Sequence, residues 1–125
     1  MAVRNYRELI AWQKAMSLVE EVYRATATYP SDERFGLTSQ TRRAAVSIPS
    51  NIAEGQGRDS SREFVHFLSI TYGSLCELQT QLLLAQRLHF LEAAVVQSVF
   101  DQTDEVARIL NGLSNSLVGK QQPAS

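Results

Sequence analysis

Cysteine, histidine and lysine are all scarce in this chain, and each scarcity removes a class of function. The single cysteine, Cys76, allows no disulfide within the chain and no site built from several thiolates. Its neighbours in Leu75-Cys76-Glu77-Leu78 predict a buried structural thiol. The histidines are His66 and His89. Glu63-x-x-His66 has the spacing of a di-iron ligand pair, but such a site needs a second pair and two more inward carboxylates. His89 has Gln86 three residues before it, so that pair is missing, and His66 is expected on a helix surface. Neither a metal nor another cofactor is expected. Glycine and proline number only 6 and 3, too few for a disordered or fibrous chain. Gly55-Gln56-Gly57 follows no strand, which rules out a dinucleotide fingerprint. No apolar run approaches membrane-spanning length and the first residues carry no signal-peptide pattern, so a cytoplasmic protein without membrane contact is expected.

Charge of one sign is also lacking. The 12 basic and 13 acidic residues leave a net charge of −1, and only Lys14 and Lys120 are lysines. The distribution is uneven. Between Arg34 and Arg62 lie five arginines against two acids, whereas from Glu63 onward three basic residues face six acids. A basic segment made only of arginine suits planar, bidentate recognition of carboxylate or phosphate.

At 125 residues, 44% of them hydrophobic, the chain has material for one domain. Four segments carry helical periodicity. Leu9, Trp12, Met16, Val19 and Tyr23 recur at three and four, and Pro30 ends that helix. A second helix is expected from Ser31 or Asp32, with Leu37, Thr41, Ala45, Ile48 and Ile52 as its apolar stripe, a kink or a broken hydrogen bond at Pro49 and a stop at Gly55-Gln56-Gly57. Ser60-Ser61-Arg62-Glu63 reads as a capping box opening a third helix. There Phe64, Leu68, Thr71, Leu75, Leu78, Leu82 and Ala85 form a seven-residue seam. The fourth carries Leu91, Val95, Val99, Val106, Ile109, Leu113 and Leu117. These spans predict an all-α, antiparallel up-down-up-down four-helix bundle over residues 1–118, with a disordered tail at 119–125.

Two surfaces stand outside the core pattern. On the second helix Gln40, Arg43, Ser47, Asn51 and Glu54 form one polar row, and the third carries Ser74, Glu77 and Gln81. Two readings stand: a solvated face, or two rows meeting across a bundle seam or subunit boundary with Arg43 within reach of Glu77. Phe67, Ile70, Leu83 and Leu84 fall outside the seam of the third helix, and a neighbouring subunit is the expected cover. No arrangement of acids, histidines or the cysteine forms a catalytic constellation. For phosphate contact the candidates are Arg42, Arg58 and Arg62, which flank the polar row without belonging to it.

The run Gln40-x-x-Arg43-Ala44-x-x-Ser47-Ile48-Pro49-x-Asn51-Ile52-Ala53-Glu54-Gly55, followed by Arg58, Gly73-Ser74-Leu75-x-Glu77-Leu78 and Gln81-Leu82, resembles the bacterial four-helix-bundle proteins encoded in intervening sequences of 23S ribosomal RNA genes. Leu9-x-x-Trp12-Gln13-x-Ala15-Met16 and Phe35-Gly36-Leu37-Thr38-Ser39-Gln40 extend the likeness from about Tyr6 to Leu117. The resemblance implies a bundle assembled into a homopentameric ring. A related accessory protein of diversity-generating retroelements has this architecture, binds nucleic acid and partners a reverse transcriptase. The expectation is therefore a non-enzymatic homo-oligomer that contacts RNA or a nucleic-acid-processing protein, the alternative being a scaffold with no nucleic-acid role.

Overall fold

A computed structural model describes residues 5–121. Four α-helices carry the fold: α1 (Ile10–Thr26), α2 (Leu37–Gln56), α3 (Ser61–Arg87) and α4 (Ala93–Gln121), with short 3₁₀ turns at Tyr6–Glu8 and Ser31–Glu33. No strand occurs among the described residues. Each helix packs on its neighbours in chain order and α4 returns to α1, while the backbones of the diagonal pairs stay farther apart among the described residues. Contacts on either side of each link tie consecutive helices together. Arg42 meets Thr26, Gly55 faces Phe64 and Phe67, and Gln79 Nε2 donates to Thr103 Oγ1 at 2.7 Å. These contacts are compatible with the expected up-down-up-down arrangement. Helix α4 continues to Gln121, past the end of the periodic pattern at Leu117; residues 1–4 and 122–125, the rest of the expected tail among them, lie outside the described residues.

The core stripe of α1 is rotated from the expected one. Ala11, Ala15, Leu18, Val22 and Ala25 are buried, whereas Met16 and Tyr23 are exposed and Trp12 and Val19 only half-buried. Both rows have three-and-four spacing and sit one residue, or about 100°, apart. Small alanines win the inward position because they let α1 approach its neighbours closely. The bulkier row then lies over the seam between α1 and α2, against Val46, Pro49 and Ala53.

Helix α2 starts later than the acids at its head imply. Ser31–Glu33 form a single 3₁₀ turn and Gly36 separates it from the helix. Glu33 still serves the N-terminus from upstream: its carboxylate accepts the Leu37 N–H at 3.0 Å, satisfying one orphan donor. All five residues of the expected α2 stripe are buried. Pro49 is buried within continuous helix, which leaves the Ala45 carbonyl without its usual donor. The helix ends within the expected Gly55-Gln56-Gly57 run, at Gln56 with Gly57 as its C-cap, and Gly55 has a separate role. It lies inside the last turn, where an added Cβ would sit 2.6 Å from Phe67 Cβ, so its role is to let α3 come close.

Ser60 caps α3 as expected: its Oγ accepts the Glu63 N–H at 3.1 Å, while the Glu63 carboxylate accepts from the Ser60 hydroxyl at 3.4 Å rather than from the Ser60 backbone N–H of a full capping box. Leu68, Thr71, Leu75, Leu78, Leu82 and Ala85 are buried as the seam requires. Cys76, expected to be buried, is exposed, because Leu75 and Leu78 take the inward positions on either side of it. Helix α3 ends in a Schellman turn, with Phe90 N–H bonded to the Ala85 carbonyl at 2.8 Å and His89 N–H to the Gln86 carbonyl at 3.0 Å. His89 takes the left-handed position at φ 65°.

Candidate nucleic-acid interface

The two polar rows face one groove. Gln40, Arg43 and Ser47 of α2 line it on one side, Ser74 and Glu77 of α3 on the other. Several members bond within their own helix. Ser47 Oγ donates to the Ala44 carbonyl at 2.6 Å and Asn51 Nδ2 to the Ser47 carbonyl at 2.8 Å. Glu54 pairs with Arg58 at 3.0 Å. Gln81 is buried; its Nε2 donates to Glu77 Oε2 at 3.4 Å, while its Oε1 has no partner among the described residues. Arg43 and Glu77 are both exposed, and no ion pair joins them within the chain among the described residues. The rows meet across the α2–α3 seam, but one chain does not close a network between them.

Arg42, Arg58 and Arg62 do not share a patch. Arg42 lies near the start of α2, and sixteen residues of helical rise place Arg58 about 24 Å away at its other end. Arg42 is committed to its own chain. Its Nε donates to Thr26 Oγ1 at 2.8 Å, its Nη2 to the Tyr23 carbonyl at 3.3 Å, and its guanidinium sits 4.4 Å from the Tyr23 ring centre. Those contacts satisfy acceptors at the C-terminus of α1 and place a cation where the helix dipole favours one. Arg58 bonds Glu54 and covers the Phe67 ring at 4.8 Å. Arg62 is exposed in the first turn of α3.

The arginines that the fold does gather are Arg34, Arg42 and Arg43. They line a cleft of about 640 Å³ between the last turns of α1 and the first half of α2, with Tyr23, Phe35 and Ser39. Phe35 is 88% exposed, the most open large apolar side chain among the described residues, and the Arg34 guanidinium stacks 5.5 Å from its ring centre. No acid, histidine or cysteine lines the cleft. Arg34 and Phe35 escape a reading by periodicity, and periodicity assigns Tyr23 to the apolar stripe of α1 rather than to a cleft. Phe35 sits in the link before α2, and the signal available is an aromatic flanked by arginine and glycine off every apolar stripe.

The apolar residues outside the α3 seam divide. Phe67 is half-buried under the end of α2, beside Gly55 and Arg58. Leu83 and Leu84 are 47% and 46% exposed, and Ile70, Tyr72 and Leu88 are also open. At about 100° per residue, Ile70 and Leu84 share one flank of α3, while Leu83 lies with Tyr72 on the flank nearer α4.

No helix among the described residues is long and apolar enough to cross a membrane. No group of three histidine, cysteine, aspartate or glutamate side chains comes together there to hold a metal ion. His66 is exposed, with its ring edge-on to Phe67. No curated protein matches the chain. Residues 7–112 match the family model described as 23S rRNA-intervening sequence protein. That match spans most of the chain, from the start of the fold into α4, and the protein belongs to the 23S rRNA-intervening sequence protein family.

Proposed function

We propose that this is a non-enzymatic, homo-oligomeric bundle protein that works by binding, with RNA or a nucleic-acid-processing protein as its partner and a closed ring as its working form. The observation that carries the reading is the exposure of apolar residues on α3, Ile70 and Leu84 on one flank and Leu83 on the other, on a helix whose seam is already filled. Covering each such side chain contributes about 1.5–3 kcal/mol before the entropic cost of association. A second apolar surface, with Met16 and Val46 exposed along the α1–α2 seam, is unlike the first. Contact between unlike patches runs head to tail, and it must close to avoid a filament. The number five rests on the resemblance alone.

Binding rather than catalysis is supported at the arginine-lined cleft between α1 and α2, which no acid, histidine or cysteine lines. One observation favours a scaffold without nucleic acid: Arg42 and Arg58 are engaged by their own chain. Light scattering coupled to size-exclusion chromatography at micromolar concentration tests the assembly. A five-subunit mass is expected; a monomer overturns the reading, and a dimer keeps association while refuting the ring. RNA binding that weakens steeply with salt separates the RNA-binding reading from the scaffold.

A further inference from the structure

We infer that the cleft between α1 and α2 is a binding site for single-stranded RNA, with a base stacked on Phe35 and the flanking phosphates held by Arg34 and Arg43. The inference rests on the reading that the protein binds RNA, and it names the place and the mode. Three guanidiniums border the cleft and no carboxylate does, so the occupant is an anion. Glu33, the nearest acid in sequence, has its carboxylate engaged by the Leu37 N–H at 3.0 Å.

The three arginines are not equivalent. Arg42 is immobilised by Thr26 and Tyr23, so it supplies a fixed positive wall at little entropic cost on binding. Arg43 has no hydrogen bond or ion pair among the described residues and keeps all its donors for a phosphate. Arg34 stacks on Phe35 without an ion pair among the described residues. Phe35 decides the class of anion. An acidic peptide would satisfy the arginines yet leave an almost fully exposed aromatic ring in water. A nucleobase offers a flat face to that ring, and single-stranded binders join such stacking platforms to a basic groove. Duplex RNA keeps its bases stacked on one another and presents only phosphate and sugar. Thr38 and Ser39, beside the arginines, add short hydroxyl donors suited to sugar or phosphate oxygens.

The test measures fluorescence anisotropy of the full-length protein with a labelled ten-nucleotide oligouridine, at low salt and along a salt titration. Phe35→Ala removes an exposed side chain, so the fold should survive, as circular dichroism melts will check. It should weaken binding about tenfold or more, the loss of one stacked base. Arg43→Ala and Arg34→Ala should each reduce the slope of log affinity against log salt by about 0.7. Arg108→Ala, on the exposed face of α4, should change neither. Wild-type protein should prefer the oligouridine to duplex RNA of equal length and to polyglutamate.

Equal or tighter binding of duplex or polyglutamate overturns the site as described. If Phe35→Ala and Arg43→Ala leave affinity intact while Arg58→Ala/Arg62→Ala abolishes it, RNA binding stands and this site falls. If wild-type protein binds no RNA even at low salt, the site and the RNA reading fall together. If Phe35→Ala instead alters the assembled mass, Phe35 is a subunit contact and the site is overturned.

Discussion

Arg42 reaches from the first turns of α2 back to the end of α1 and lays its guanidinium 4.4 Å from the Tyr23 ring centre while bonding Thr26 Oγ1 at 2.8 Å. Thr26 is buried and its own hydroxyl donates to the Val22 carbonyl, so the arginine completes a chain of hydrogen bonds that ties the two helices. Arg42→Ala should therefore cost about 1–3 kcal/mol, and Arg42→Lys should recover only part, since an ammonium cannot stack and fork together. Urea denaturation of the two variants measures this. A loss below about 0.5 kcal/mol for Arg42→Ala would make the contact incidental and release Arg42 for an external anion.

Two glycines give opposite expectations for the same substitution. Alanine is better than glycine inside a helix by about 1 kcal/mol. Around Gly73 of α3 nothing lies within 4 Å of an added Cβ, so Gly73→Ala should raise stability by roughly that amount. At Gly55 the new Cβ would meet Phe67 Cβ at 2.6 Å, and both atoms are fixed to helix backbone. Helices α2 and α3 must separate to admit it, at about 1–3 kcal/mol of overpacking. Gly55→Ala should lower the melting temperature while Gly73→Ala raises it. A stabilised Gly55→Ala would show that the α2–α3 contact is looser than it looks.

Those contrasts explain how far the sequence could be read. The seam of α3 was legible because Leu68, Leu75 and Leu82 repeat at seven with Thr71, Leu78 and Ala85 between them, and only one face of a helix fits that repeat. In α1 two rows share the same period, and size pointed to Trp12 and Met16 although close packing selects Ala11 and Ala15. The arginines were visible as a segment but not as a site. Arg42 finds Thr26 sixteen residues away in the chain, and Arg34 and Phe35 lie where no periodicity applies. Which arginines are spent inside the fold is a tertiary fact.

His89 holds the left-handed position of the Schellman turn at φ 65°, a conformation that costs a residue with a Cβ roughly 1 kcal/mol and glycine almost nothing. The side chain is exposed, so its removal leaves no cavity. His89→Gly should stabilise the protein by about 0.5–1 kcal/mol, and His89→Val should destabilise it by more, because a β-branched side chain is worst at positive φ. Calorimetric melts at one protein concentration give both values. Loss of stability in His89→Gly would mean that the imidazole makes a contact in the assembled form.

Tyr29 makes a pH dependence measurable. It follows α1, 8% exposed, its ring 5.5 Å from that of Phe90 and its hydroxyl without a hydrogen-bond partner among the described residues. Burial disfavours the phenolate, so the pKa is pushed up from 10.0 to about 12. The sign follows from which state ionises first. Between pH 10 and 12 the unfolded chain loses this proton and the folded chain keeps it, so stability is full below pH 10 and falls as pH rises through that window. Two pKa units correspond to about 2–3 kcal/mol at the upper end. Tyr29→Phe removes both the titration and a buried hydroxyl that gains nothing from the fold, so near neutral pH it should be neutral or slightly stabilising. Urea melts of both proteins at pH 8, 10 and 11.5 should then diverge: the wild type loses stability over the last step and the variant loses less. Parallel curves would place the hydroxyl in contact with water and remove it from the core.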